Sequence, residues 1–461
     1  MAKITIIGAG GYVFPLRLAG DILSHAALQN CTLTLMDIDA ARLEQTTRSV
    51  TELIEHHGLP ATVRSTLSQR EALRDADYVI VTFQVGGLEA YGLDVEIPRR
   101  YGVDQTVGDT LGPGGVMRFL RSAAVFEQIA LDMRELCPDA LLLNYANPMA
   151  MSCWFLARLG IKTVGLCHSV QNTTHMLAQQ LGIASAELRF KSAGINHQAW
   201  LLELRHAERD VYPRVRETMR RTHLEGSPQR ALQPDIGDHS QPQSVTVYEG
   251  GQERVRTSLM DVFGYFHTES SHHASEYLPY FRKDPSTVLE FIPERWDYLE
   301  ICCAHSGDGL EELLLALKKE LKPSLEYGSS IINAIETNAP VVIHGNVPNT
   351  GLITNLPEGC CVEVACLVDG SGVQPTYVGA LPPQLAALNR TNIGVQELAV
   401  EAALTKNIQH VYHAIALDPL TAALLTLGEI KQMTAELLAA QAPWLPQFDL
   451  PRPALLLMAA D

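Results

Sequence analysis

Two side chains define the first chemistry open to this sequence: Cys167 in Gly165-Leu166-Cys167-His168-Ser169, and His197 in Gly194-Ile195-Asn196-His197. A thiolate and a neutral imidazole both ligate divalent transition ions. Two such ligands suit an open site that substrate or water completes. A buried cysteine and an unrelated histidine would leave the same trace. Between residues 263 and 282 a second group of titratable side chains gathers, with Glu269, His272, His273, Glu276, Tyr277 and Arg282. The histidine pair reads equally as part of a site or as a solvated helix face.

A second chemistry is written at the amino end. Lys3-Ile4-Thr5-Ile6-Ile7 runs into Gly8-Ala9-Gly10-Gly11 and then a helix-like stretch from Phe14 to Ser24. A strand, a glycine turn and a helix in that order can cradle a pyrophosphate. Gly8 permits the turn, Gly10 and Gly11 let backbone N–H groups approach, and the helix N-terminus faces the negative charge. The next strand ends at Asp37. That carboxylate can accept from both ribose hydroxyls and repels a 2′-phosphate, which predicts NAD rather than NADP. A glycine turn that binds nothing is the plainer alternative. Further on, Gly108-Asp109-Thr110-Leu111-Gly112-Pro113-Gly114-Gly115 crowds glycines beside a helix start, either as backbone pressed against a ligand or as a loop capped by Asp109. Asn147-Pro148 follows a strand end, where a cis or tightly turned bond would fix the Asn147 amide beside a nicotinamide.

These residues need elements to carry them. Strands predicted at 3–7, 31–36, around Val63, and at 78–83, 140–145 and 162–169 alternate with helices at 14–24, 40–57 and 117–136. That rhythm predicts an α/β fold with a doubly wound, Rossmann-like sheet, whose strand carboxyl ends gather ligands. This NAD-binding domain is expected over 1–195. The remainder, 196–461, reads as an α+β domain for substrate, metal and oligomerisation. It begins with a turn-rich stretch at 208–252 (Pro213, Gly226, Pro228, Pro234, Gly237) and has helices at 287–319 and 329–336. A small antiparallel sheet is expected from 341–346 and 361–368, followed by helices at 395–413 and 421–440.

Composition narrows the partners. A net charge of −17 over 461 residues argues against nucleic acid and anionic membranes, and no apolar run approaches the ~18 residues of a membrane span. With a strand beginning at Lys3, no signal peptide is expected. Nine cysteines, with Cys302-Cys303 and Cys360-Cys361 adjacent, form a reducing, cytoplasmic inventory.

Taken together, Ile7-Gly8-Ala9-Gly10, Met36-Asp37-Ile38-Asp39, the 109–115 run, Asn144-Tyr145-Ala146-Asn147-Pro148, the Cys167 and His197 motifs and Leu356-Pro357-Glu358-Gly359-Cys360-Cys361-Val362-Glu363-Val364 resemble glycoside hydrolase family 4 across essentially the whole chain. The resemblance implies a fold shared with lactate and malate dehydrogenases, tightly held NAD+, and Mn2+. It also implies a redox-assisted elimination in place of the usual two-carboxylate scheme. In that cycle NAD+ oxidises the sugar 3-hydroxyl and a base removes the acidified C2 proton while the metal stabilises the enediolate. The glycosidic oxygen then leaves, water adds, and NADH reduces C3 again. Carried over to this chain, Cys167 and His197 bind the metal, and Asn147 contacts substrate and nicotinamide ribose. His168 assists the leaving group as an acid, and Asp109 is a second acid candidate or tunes the base. The base is Glu269 or Tyr277, the latter needing its pKa of ~10 lowered by metal and neighbours.

Cys167-His168-Ser169 and Thr268-Glu269-Ser270-Ser271 resemble the galactosidase branch, so the expected substrate is a small unphosphorylated α-galactoside. A homo-oligomer, dimer or tetramer, is expected. One alternative is an α-galacturonidase or α-glucuronidase, whose substrate carboxylate would need a cation such as Arg282. From another class come a lactate- or malate-type dehydrogenase and a non-catalytic NAD-binding regulator.

Overall fold

Ile4, Ile6, Val79, Ile80, Leu142 and Leu143 have no exposed surface, so the strands that carry them are covered on both faces, as parallel strands must be. In the computed structural model, which describes residues 1–11, 13–225, 252–304 and 309–450, six strands run parallel. They are β1 (Lys3–Ile7), β2 (Thr32–Met36), β3 (Thr62–Thr66), β4 (Tyr78–Val81), β5 (Leu141–Asn144) and β6 (Thr163–Leu166). Their order, β3-β2-β1-β4-β5-β6, is that of a doubly wound sheet, with its switch point between β1 and β4. The turn residues Gly226, Pro228, Pro234 and Gly237 lie outside the described residues.

The remaining strands are β7 (Arg189–Ile195), β8 (Gln198–His206), β9 (Arg209–Asp210), β10 (Phe266–His267), β11 (Val341–Pro348), β12 (Cys361–Asp369) and β13 (Gly372–Pro375). β11 and β12 pair antiparallel as expected, but they do not form a separate small sheet. β11 also pairs antiparallel with β6, and β12 with β7, so one sheet continues as β6-β11-β12-β7-β8-β10. The register brings Gly165, Asn346, Glu363 and Gly194 into one row across four strands.

Local signals explain where the helices begin and end. Ala40–His57 starts under the Asp39 carboxylate, which accepts from the Ala41 and Arg42 N–H groups, and stops at Gly58 in the left-handed region (φ 60°). The helix expected from 117 begins earlier and runs Gly112–Leu136, with Pro113 in its first turn where a missing N–H costs nothing. Its glycines press on chain, not on solvent: a Cβ at Gly114 would lie 2.6 Å from the Gly108 carbonyl oxygen. The helix expected over 287–319 is broken into Pro285–Phe291, Tyr298–Ala304 and Leu310–Lys319. Pro293 stops the first, since the residue before proline disfavours helix. The 395–413 expectation resolves into Pro383–Thr405 and Ile408–Leu417, parted by Lys406 at φ 57° and the Asn407 cap. Likewise 421–440 becomes Pro419–Leu424 and Leu427–Gln441, the second opened by a Thr426–Glu429 capping box.

A buried ion pair ties the carboxyl-terminal helices to the dinucleotide fold. Arg121 makes two 2.7 Å bonds to Asp94, both side chains have no exposed surface, and Gln441 Nε2 donates to the same carboxylate at 2.8 Å. Arg121→Leu strands the Asp94 charge in the interior and should cost about 3–5 kcal/mol, read as a lowered denaturation midpoint in urea.

Candidate active site

At the carboxyl end of β1 the chain turns through Gly8, whose φ is 94°. A Cβ there would lie 2.6 Å from the backbone nitrogen of Phe83, so only glycine fits between β1 and the segment after β4. Gly10 N–H donates to Asp37 Oδ2 at 2.7 Å, and a Cβ on Gly10 would meet that carboxylate at the same distance. Asp37 Oδ1 accepts from the Asp39 N–H at 2.9 Å. The helix Phe14–Ser24 that follows has no side-chain cap at its N-terminus, which leaves its first-turn N–H groups to an outside acceptor.

The second cluster is assembled from three places in the sheet. Cys167 lies two residues beyond Gly165 at the end of β6, and His197 three beyond Gly194 at the tip of the β7–β8 hairpin. Glu269 follows β10, which pairs with β8. His197 takes a left-handed backbone (φ 59°), unusual for a residue with a Cβ and a mark of a position held for its side chain. One donor atom each from Cys167, His197 and Glu269 lies within 4.8 Å of the other two. His197 Nε2 is 3.5 Å from Glu269 Oε2, while Nδ1 faces the Tyr277 hydroxyl at 3.1 Å and Thr110 Oγ1 at 3.3 Å. The ring is therefore held by one nitrogen and offers the other to the thiol and the carboxylate, the arrangement of a metal-binding imidazole.

A polar network extends from that ring. Tyr277 also reaches His273 Nδ1 at 2.8 Å. Thr110 Oγ1 donates to Asp109 Oδ1 at 2.8 Å, and Asn147 Nδ2 to Asp109 Oδ2 at 3.1 Å. The Asn147–Pro148 bond is cis. On the other side His168 Nδ1 lies 3.6 Å from Glu326 Oε1.

Burial and charge set the ionisation of these groups. Burial pushes the Cys167 thiol up to about 12, so a cation bound there would displace a proton. Burial would lower His168, but the Glu326 carboxylate outweighs it and lifts the imidazole to about 9. Burial would raise Glu269, yet His197 and His273 hold it down at about 2. Asp109 is likewise pushed up by burial and brought below the usual carboxylate range by Arg118, His273 and His197. Tyr277 is pushed well up by burial and by the Glu269 and Asp109 charges.

Comparison with known proteins identifies the family. Residues 3–183 match the model of the family 4 glycosyl hydrolases, and residues 192–421 match that of their C-terminal domain. The chain belongs to glycosyl hydrolase family 4. An α-galactosidase of Bacillus subtilis (strain 168) is 42% identical over 97% of this chain and 100% of its own length. An α-galacturonidase of the same organism is 31% identical over 91% of this chain and 93% of its own. A 6-phospho-α-glucosidase from gut microorganisms, solved with NAD and Mn2+, has the same fold at TM-score 0.76 and 20% identity, over 97% of this chain and 99% of that one.

This family 4 hydrolase gathers most of the residues singled out in its sequence. Cys167, His197, Glu269, Tyr277, Asp109 and Asn147 form one cluster, with His168 beside Cys167. Arg282 stands apart from them. Its side chain has no exposed surface, and its nitrogens donate to Ser275 Oγ, the Asp104 carbonyl and Thr106 Oγ1. It holds a loop and has no nitrogen left for a substrate carboxylate. Neither His272 nor His273 is a solvated helix face: His272 is buried against Trp296, and His273 joins the network.

Glu276 was visible in the sequence only as one of the titratable residues between 263 and 282, with no role of its own. Its carboxylate accepts from the N–H groups of Thr106, Val107 and Gly108, from the Thr106 hydroxyl and from Gln105 Nε2, at 2.6–3.2 Å. It thereby fixes the loop that delivers Asp109 and Thr110. Its place just before Tyr277 was visible, but its partners lie some 170 residues away. No helix among the described residues is long and apolar enough to cross a membrane.

The Asp37 contacts predict the cofactor preference. Asp37→Ala should weaken NAD+ roughly tenfold or more, by loss of ribose bonds and of the Gly10 tether, and should narrow the gap to NADP+. Titration of cofactor-stripped protein with each dinucleotide checks this; equal affinities in the unmodified protein would refute the assignment.

Proposed function

We propose that this glycoside hydrolase is an α-galactosidase that uses NAD+ and Mn2+ and breaks the glycosidic bond by elimination, between an oxidation and a reduction at C3. The reading is carried by the convergence of Cys167, His197 and Glu269 beside Asp109 and Asn147. Full-length likeness to an α-galactosidase supports the substrate class.

The residues present fit both groups. The Gly8–Gly10 turn has backbone where a Cβ would clash, and the helix behind it has uncapped N–H groups, as a pyrophosphate needs. Gly8, Gly10, Gly11 and Asp37 would hold the NAD+. A thiol, an imidazole and a carboxylate within 4.8 Å of one another make a donor set for Mn2+ or a similar ion, with coordination positions left open. Bound, NAD+ would supply the hydride acceptor and donor at C3, and the cation a charge that acidifies the C2 proton and favours tyrosinate.

The chain does the rest. Glu269 is assigned to the cation, because its carboxylate lies on the Nε2 side of His197 with Cys167. Tyr277 is then the base at C2. If His197 Nδ1–H donates to the phenolic oxygen, the phenol proton points to His273 Nδ1, which can receive it. Asn147 is placed by Asp109 to orient substrate hydroxyls and the nicotinamide ribose. His168, kept protonated at neutral pH by Glu326, donates to the departing glycosidic oxygen. Asp109 is assigned to orienting Asn147 and Thr110, not to proton donation, since its carboxyl is held ionised.

Hydrolysis of a nitrophenyl α-galactoside should require both NAD+ and Mn2+, stop in chelator and return with Mn2+. Cys167→Ser should lose activity by at least about a hundredfold while circular dichroism shows an unchanged fold. Full activity in chelator, or in Cys167→Ser, would remove the metal from the account.

A further inference from the structure

Arg118, on the helix Gly112–Leu136, carries donors that the described residues do not match. Nη2 donates to Gln84 Oε1 at 2.7 Å. Nε and Nη1 are buried and have no hydrogen-bond partner among the described residues. The side chain is 11% exposed, and its guanidinium carbon sits 5.3 Å from the centre of the Tyr91 ring. Buried donors of a charged group are ordinarily matched, so two left over on one side chain call for an acceptor from outside. Their location says which acceptor. Arg118 Nη1 lies 3.9 Å from Asp109 Oδ2, the same oxygen that takes the Asn147 amide at 3.1 Å.

We propose that Arg118 is a substrate-binding residue that donates to a hydroxyl oxygen of an uncharged glycone, with the paired Asp109 accepting from a neighbouring hydroxyl. The proposal rests on the glycosidase reading and deepens it by naming the side chain that selects a neutral sugar. Arg118 and Asp109 balance one another, so the pair presents donors and acceptors without net charge. A glycone carboxylate would be brought against Asp109, with Glu269 adding negative charge beyond His197. Like charges that close are unfavourable where water is excluded. The cation expected to neutralise such a substrate, Arg282, is fully engaged elsewhere.

The test compares the unmodified protein with Arg118→Gln and Arg118→Lys, each loaded with NAD+ and Mn2+, on matched nitrophenyl α-galactoside and α-galacturonide. NAD+ affinity is titrated in parallel. The unmodified protein should prefer the galactoside. Arg118→Gln should raise its KM at least about tenfold, with a smaller change in kcat and an unchanged NAD+ affinity; Arg118→Lys should fall between. An unchanged KM in Arg118→Gln would overturn the assignment of Arg118 and leave the glycosidase reading standing. So would a joint fall of kcat and NAD+ affinity, which marks a merely structural residue. A galacturonide preference that disappears in Arg118→Gln would make the residue a carboxylate receptor and overturn the neutral-sugar claim. Failure of the unmodified protein to cleave any α-glycoside would overturn the glycosidase reading, and the proposal with it.

Discussion

The ring of His197 has two nitrogens, and the site depends on which of them is taken. Tyr277 and Thr110 approach Nδ1, so Nε2 is turned to Glu269 and Cys167. An imidazole free to flip would lose that distinction. The backbone enforces it as well, because the two-residue tip between Ile195 and Gln198 holds His197 in a left-handed conformation. Tyr277 and Glu276 are adjacent, so one short segment both fixes the ring and, through the Glu276 carboxylate, fixes the loop that carries Asp109 and Thr110. The Cys167–His197–Glu269 half and the Asp109–Asn147 half are thus clamped to each other by consecutive residues.

Electrostatics follow from that clamp. Asp109 and Glu269 are both buried carboxylates, which alone would favour protonation. Both are nevertheless held below the usual carboxylate range, Asp109 by Arg118 together with His273 and His197, and Glu269 by the same two histidines. Glu363, the third carboxyl near His197, lies in the row across β6, β11, β12 and β7 and is pushed by burial to about 7. A partly protonated group there limits the negative charge behind the site. Glu326, from a different part of the chain, stabilises the protonated form of His168, so His168 and Cys167 are neighbours in sequence but answer to different partners.

Much of this was legible in the sequence, and the part that was not has a common cause. β1, β2 and the first two helices were readable because their signals are local: an apolar run, a glycine turn, an aspartate cap, a left-handed glycine. Cys167 and His197 stood out as types. What could not be read was set by partners far away in the chain. Glu269 and Tyr277 stood as alternative bases in the sequence, and nothing local showed that the Glu269 carboxylate lies beside a thiol some hundred residues earlier. Arg282 looked available until the 104–106 loop was found against it. The separate small sheet was an inference from antiparallel patterning, and only the β6–β11 pairing, two residue pairs long, shows that the sheet never stops. The helix ends were missed where caps inside a continuous apolar period break it, as at Asn407 and Thr426.

The central claim is that the glycosidic bond is broken after a proton has left C2, and not by displacement at the anomeric carbon. NMR of the sugar released from an α-galactoside in D2O measures this directly. The account predicts deuterium at C2 of the product, because the proton held by the Tyr277–His273 pair exchanges with solvent before it is returned. Product galactose carrying only protium at C2 after complete hydrolysis in D2O would contradict it.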